Sequence, residues 1–169
     1  MYISEITARV PYGSKSRETV IRYSRQIVRF LKTQEVKAIV VACNTASALA
    51  LETIQQETDI PMLGVVEPGA RVAAKTTRNK KIGLIGTRAT VKSDLYRTMI
   101  QKTDPQIQVI GQACPLFVPL VEEGWLKDSV TIEVARRYLK PLLEQDIDTL
   151  ILGCTIIPSA FHVKGSGRR

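Results

Sequence analysis

Apolar residues along this chain follow two alternating rhythms. Val20, Tyr23, Ile27 and Leu31 recur every three or four positions, which predicts an amphipathic helix from Ser16, a capping residue, to about Thr33. Residues 37–42 form a continuous apolar run rich in β-branched side chains, the pattern of a strand buried on both faces of a parallel sheet. A helix is predicted from Cys43-Asn44-Thr45 to about Gln56, and a strand over 61–66. Glu67-Pro68-Gly69 breaks that strand, and 70–77 reads as helical. The second half repeats the rhythm. It predicts a strand at 81–85, a turn at Gly86-Thr87, a helix over 89–102 and a strand at 107–110. A short helix over 115–123 is ended by Gly124-Trp125. A helix over 130–145, capped by Ser129 and kinked at Pro141, leads to a strand at 149–152. Residues 2–4 suit a short strand, and 7–16, with Pro11-Tyr12-Gly13-Ser14, a loop. Strands alternating with helices predict βαβ units and parallel sheets. Residues 66–70 are the best boundary between two units.

Length and composition narrow the class. At 169 residues the chain suits one domain, or two small ones sharing a cleft. With 44% hydrophobic and 24% charged residues it can bury a core, so disordered, collagen-like and disulfide-scaffold classes are excluded. No apolar run approaches a membrane span, and Met1-Tyr2-Ile3-Ser4-Glu5 lacks the charged-then-apolar pattern of a signal peptide. The expectation is a cytoplasmic protein with no membrane partner. A net charge of +8 raises the prior for anionic partners. The basic residues are nevertheless scattered, densest at Arg78-Asn79-Lys80-Lys81 and in the tail from Lys164 to Arg169. The aromatic residues, 5% of the chain, do not interleave with them as a base-stacking platform would. Nucleic acid therefore ranks last among partners.

Chemistry enters with the cysteines. Cys43, Cys114 and Cys154 are odd in number and widely spaced, which argues for reduced thiols. No metal is expected, since these residues are far apart and His162, beside the basic tail, is the one histidine of the sequence. Val40-Val41-Ala42-Cys43-Asn44-Thr45 echoes Ile151-Leu152-Gly153-Cys154-Thr155: a strand, a small residue, a cysteine, then amide or hydroxyl residues. Ligands of open α/β sheets sit at the carboxyl ends of strands. A helix starting there favours a thiolate, and Asn44, Thr45 and Thr155 offer donors to an anion. A cysteine after a strand is most often a small buried hydrophobe, and Cys114, without an echo, is read that way. Two cysteines in matching contexts point instead to proton abstraction next to a carboxylate, one as thiolate and one as thiol. No cofactor is expected, because Gly83-Leu84-Ile85-Gly86 lacks dinucleotide spacing and no phosphate-binding loop is present. Gly86-Thr87-Arg88-Ala89-Thr90 reads as a plain strand-to-helix turn.

Longer stretches carry a resemblance. Residues 8–16 (Ala-Arg-Val-Pro-Tyr-Gly-Ser-Lys-Ser), 41–46, 66–69, 85–91 (Ile-Gly-Thr-Arg-Ala-Thr-Val), 114–124 and 152–155 together resemble the glutamate racemase family of the cofactor-independent aspartate/glutamate racemase superfamily. The resemblance runs from about Thr7 to Pro158. It implies two Rossmann-like parallel-sheet α/β domains with a cleft between them, and interconversion of L- and D-glutamate without a cofactor. The D-glutamate would feed peptidoglycan synthesis. It implies Cys43 and Cys154 as catalytic bases, Glu122 as the acidic residue supporting the second cysteine, and Tyr12, Gly13, Asn44, Thr45 and Thr155 as substrate-binding residues. It also implies a homodimer.

Against the family pattern, the opening strand and its Asp-Ser-Gly-x-Gly-Gly loop are missing. Glu5-Ile6-Thr7 stands for Gly-Asp-Thr, and Ile156 stands where the family has the histidine that assists the second cysteine. The expected organisation is an incomplete first domain over 1–67, a second over 68–158 and an atypical basic tail over 159–169. Two readings stay open: a racemase, and an impaired fragment that only binds a ligand or partner.

Overall fold

The computed structural model of the chain describes residues 10–157. The expected strand at 2–4, Glu5-Ile6-Thr7, His162 and the basic tail lie outside them. Helix α1 (Arg17–Lys32) starts at Ser16, whose side chain accepts from Thr19 N at 3.3 Å. Such a cap contributes about 1 kcal/mol. Val20, Val28 and Leu31 are its buried residues. Strand β1 (Ile39–Val41) lies parallel to β2 (Met62–Gly64). Between them run α2 (Asn44–Leu49) and α3 (Leu51–Gln55), where the apolar pattern predicts one helix. The chain turns at Ala50 without losing hydrogen bonds, since Ala50 N reaches Ala46 O at 2.9 Å and Ile54 N reaches Ala50 O at 3.0 Å. Ser47 ties this layer to the strands: its Oγ donates to Val41 O at 2.9 Å and accepts from Val65 N.

β1 departs from the expected strand buried on both faces. Ile39 faces the core formed with α1–α3, but its neighbour Val40 is 65% exposed, beside Leu63 at 55%. Among the described residues the helices cover only the Ile39 side of this sheet. Helix α4 (Val66–Thr76) also begins earlier than predicted and absorbs Glu67-Pro68-Gly69. Proline is tolerated in a first helical turn, where its missing N–H has no intrahelical partner to lose.

The second sheet is built on β3 (Lys81–Gly86), flanked by β4 (Gln108–Ala113) and β5 (Thr149–Gly153), all parallel. The class is therefore α/β with parallel sheets, as the alternating pattern predicts. Ile82, Leu84, Val109 and Ile151 pack against Ala70 and Ala73 of α4 and Ile100 of α6 (Leu95–Thr103). The helix predicted over 89–102 is split into α5 (Arg88–Lys92) and α6 by Asp94, which takes the left-handed conformation at φ 59°. Aspartate tolerates that region better than most residues. Helix α7 (Phe117–Glu122) ends on Gly124 at φ 74°, whose freedom lets Trp125 N reach back to Leu120 O at 2.9 Å. Helix α8 (Ser129–Leu143) is capped by Asp128, which accepts from Val130 N at 2.7 Å, rather than by Ser129. No helix among the described residues is long and apolar enough to cross a membrane.

Asp148 fastens the loop between α4 and β3 to the start of β5. Its carboxylate accepts from Thr77 Oγ1 (2.7 Å), Arg78 N (2.6 Å), Asn79 N (2.8 Å) and Thr149 Oγ1 (2.9 Å). These donors, led by Thr77, hold its carboxyl well below the usual carboxylate range. A depressed folded-state pKa contributes stability above the unfolded value, about 3.9, and loses it as pH falls toward the folded one. Asp148→Asn is therefore expected to lower Tm most at neutral pH, with the gap to the parent chain closing below about pH 4. Calorimetry across pH reads this directly, and a gap that stays constant into strong acid refutes it.

Candidate active site

Each cysteine turn grows from the end of a parallel strand. Beyond β1, Cys43 is the N-cap of α2, with extended backbone (φ −94°, ψ 123°). Its carbonyl accepts from Ser47 N at 2.8 Å. Asn44 and Thr45 fill the first turn of α2 and are buried, at 5% and 3% exposure. Beyond β5, Cys154 opens a turn closed by Ile157 N on Cys154 O at 3.2 Å. Both cysteine side chains are half-buried thiols. The helix start expected at Cys43 is present; after Cys154 a turn over Thr155 and Ile156 intervenes, and Ile157, the last described residue, is helical.

The first turn meets three buried hydroxyls, and the strand end before Cys154 lies beside them. Thr45 Oγ1 lies 3.0 Å from Thr87 Oγ1 and 3.3 Å from Thr90 Oγ1, and Thr87 and Thr90 are 3.1 Å apart. Thr87 also caps α5, accepting from Thr90 N at 3.2 Å. Thr90 borders the second turn, for a Cβ on Gly153 would lie 3.5 Å from its Cγ2. Gly86 and Gly153 permit this approach. A Cβ on either would stand 2.9 Å from a backbone carbonyl oxygen of the facing strand, Gly153 O and Ile85 O respectively. Gly13 closes another side, since a Cβ there would fall 2.5 Å from Thr87 Cγ2. Three touching hydroxyls carry one donor each and can rotate to present O–H groups to an anion. Beside them, Tyr96 Oη of α6 donates to Asn44 Oδ1 at 2.7 Å.

Gly13, Asn44, Thr45 and Gly153 are thus brought together, with Cys43 next to Asn44 and Cys154 next to Gly153 in the chain. Tyr12 adjoins through Gly13 and sets its half-buried ring 6.2 Å from that of Tyr23. Thr155 is exposed within the Cys154 turn. Glu122 is the exposed last residue of α7, and its carboxylate forms no hydrogen bond or ion pair with another described residue. Sequence reading passed over three residues. Thr87 and Thr90 do form the plain strand-to-helix turn expected of them, and they also bridge to Thr45. Their three-residue spacing at a helix start was a usable signal; Tyr96 offered none.

Cys114 sits in a further core with Ile85, Phe117, Leu142 and Ile157, 2% exposed, and burial pushes its thiol up to about 12. It is expected to ignore thiol reagents in the folded chain, where Cys43 and Cys154 react, and to react only on unfolding. Prompt labelling of Cys114 in mass spectra of the folded protein contradicts this.

Residues 5–164 match the family model described as Asp/Glu/Hydantoin racemase. The chain is 54% identical over 159 residues to a glutamate racemase of Geobacter metallireducens, covering 94% of this chain and 59% of that protein. It therefore spans about three-fifths of that relative's length. Among solved structures it is similar to a glutamate racemase isoform of Bacillus anthracis (TM-score 0.86, 42% identity, 90% of this chain and 57% of that one). It is also similar to the glutamate racemase of Francisella tularensis in complex with D-glutamate (TM-score 0.82, 39% identity, 90% of this chain and 58% of that one).

Proposed function

This chain belongs to the Asp/Glu/Hydantoin racemase family, and from that premise we propose that it interconverts L- and D-glutamate by proton transfer at Cα between Cys43 and Cys154. The observation that carries this reading is the cluster of Thr45, Thr87 and Thr90 hydroxyls, which follows Cys43 in the chain and has Gly153, the neighbour of Cys154, packed beside Thr90. One cysteine, as thiolate, takes the α-proton and becomes a thiol. The electron pair moves into the α-carboxylate, where Asn44 and the threonine hydroxyls can donate hydrogen bonds to the added negative charge. The other cysteine, as thiol, delivers its proton to the opposite face and is left as thiolate. Substrate and product differ only in configuration, and the two thiols exchange roles with each turnover. In this reading Tyr12, Gly13 and Thr155 complete the substrate set, and Glu122 supports the side of Cys154. The enzyme acts in the cytoplasm, and its D-glutamate feeds peptidoglycan synthesis.

A second reading, a domain that binds glutamate without turning it over, is favoured by Ile156, an isoleucine two positions after Cys154 where the resemblance expects a histidine. Incubation with L- and with D-glutamate in D₂O separates the two. Loss of the α-proton signal from both enantiomers, with decay of optical rotation, supports the racemase. Exchange from one enantiomer alone means one working base. No exchange, from a folded chain that still takes up glutamate in calorimetry, supports the binding domain. Self-association is part of the proposal as well, with the exposed Val40 and Leu63 as one available apolar face. A monomer in sedimentation removes that part.

A further inference from the structure

Asn44 is the one residue of the candidate site whose chemistry depends on which way its side chain is turned. A carboxamide offers an acceptor on one arm and two donors on the other, so a ligand carboxylate is attracted by one orientation and repelled by the other. In this structure the choice is made from a distant part of the chain. Tyr96 Oη donates to Asn44 Oδ1 at 2.7 Å, and both residues are buried, at 3% and 5% exposure. The phenol ring is itself fixed in the core shared by α4, α6 and the second sheet. Gly69 of α4 leaves room for it: a Cβ there would stand 3.3 Å from Tyr96 Oη and 3.5 Å from its Cε1. Oδ1 is thereby occupied, and Nδ2, on the other arm, donates to no other described residue.

We propose that Tyr96 is a positioning residue: its hydroxyl pins Asn44 Oδ1 and so presents the amide N–H donors of Asn44 to the ligand's carboxylate. The inference rests on the reading above that Asn44 binds the carboxylate of glutamate. It adds the device that sets the polarity of that contact and makes the second half of the chain responsible for it. Burial pushes the Tyr96 hydroxyl up to about 12, so it keeps its proton, and its donor role, through the neutral range.

Tyr96→Phe removes one oxygen and keeps the buried ring. The Asn44 side-chain amide resonances in ¹⁵N-edited NMR, identified by their loss in Asn44→Ala, read the hold without any ligand. They are expected to shift in Tyr96→Phe, while the dissociation constants of L- and D-glutamate rise about tenfold, the effect of one lost hydrogen bond on the binding amide. Tyr138→Phe is the control, because the Tyr138 hydroxyl accepts only a long contact from Leu116 N at 3.4 Å and makes no hydrogen bond to Asn44. It should leave both readouts unchanged. Gly69→Ala presses on the phenol instead of deleting it and should shift the same resonances by less; it serves if the phenylalanine variant does not fold. Unmoved Asn44 resonances with parental affinity in a folded Tyr96→Phe overturn the proposal. Absence of glutamate uptake by the parent chain overturns the racemase reading and the carboxylate contact with it. In that case a shift of Asn44 in Tyr96→Phe still supports the hold of Tyr96 on the amide.

Discussion

Cys43→Ala and Cys154→Ala are each expected to lower racemisation by at least about 10²–10⁴-fold, the range for removing a positioned general acid or base. The two variants should fail in mirror-image ways. A remaining cysteine can still remove the α-proton on its own face and return a solvent deuteron to that face. Each variant should therefore exchange the α-proton of one enantiomer without inverting it, and the enantiomer should differ between the two. The double variant should lose exchange from both. Because the cysteines act as a unit, its racemisation rate should fall little below that of either single variant. The test is α-proton exchange followed by NMR with each enantiomer separately. Full racemisation by either single variant rules out the two-cysteine scheme, and exchange from the same enantiomer in both rules out opposed bases.

Ile82→Ala is expected to cost about 2–5 kcal/mol of stability, the range for truncating a fully buried isoleucine. Domains are commonly stable by about 5–15 kcal/mol, so this single change should remove a large share. Ile82 is fully buried in β3, the middle strand of the second sheet, and is flanked by Val109 and Thr149 in register. The same strand ends at Gly86, next to Thr87, so loosening it also loosens the hydroxyl cluster. Val40→Ala is the informative comparison: it removes similar atoms from a side chain that is 65% exposed. It should change stability by less than about 0.5 kcal/mol. Urea denaturation of both variants checks the pair, and equal effects would mean that the Val40 face is covered in solution.

Much of the architecture was legible because it depends on short-range rules. Ser16 begins α1, Gly124 ends α7, and the β-branched runs around Ile39, Ile82 and Ile151 become parallel strands. The misreadings occur where the apolar pattern is silent about backbone turns or cover. Ala50 and Asp94 each divide a predicted helix, although the apolar spacing continues through both. Pro68 reads as a breaker but sits in a first turn, where it breaks nothing. Val40 looks like a core residue, since a pattern of apolar side chains cannot say whether a second layer lies over them.

By itself the sequence determined the order of strands and helices, the two echoing cysteine turns and the family to which they belong. Those features are written in neighbouring residues, in propensities, caps and motif spacing. Only the tertiary structure decided that Thr45 meets Thr87 and Thr90, and that Tyr96 holds Asn44. Those partners lie 42, 45 and 52 positions apart. Such contacts depend on how α2, α5 and α6 pack beside strands brought close by Gly86 and Gly153. A hydroxyl or a phenol carries no local mark of the partner that packing will bring to it.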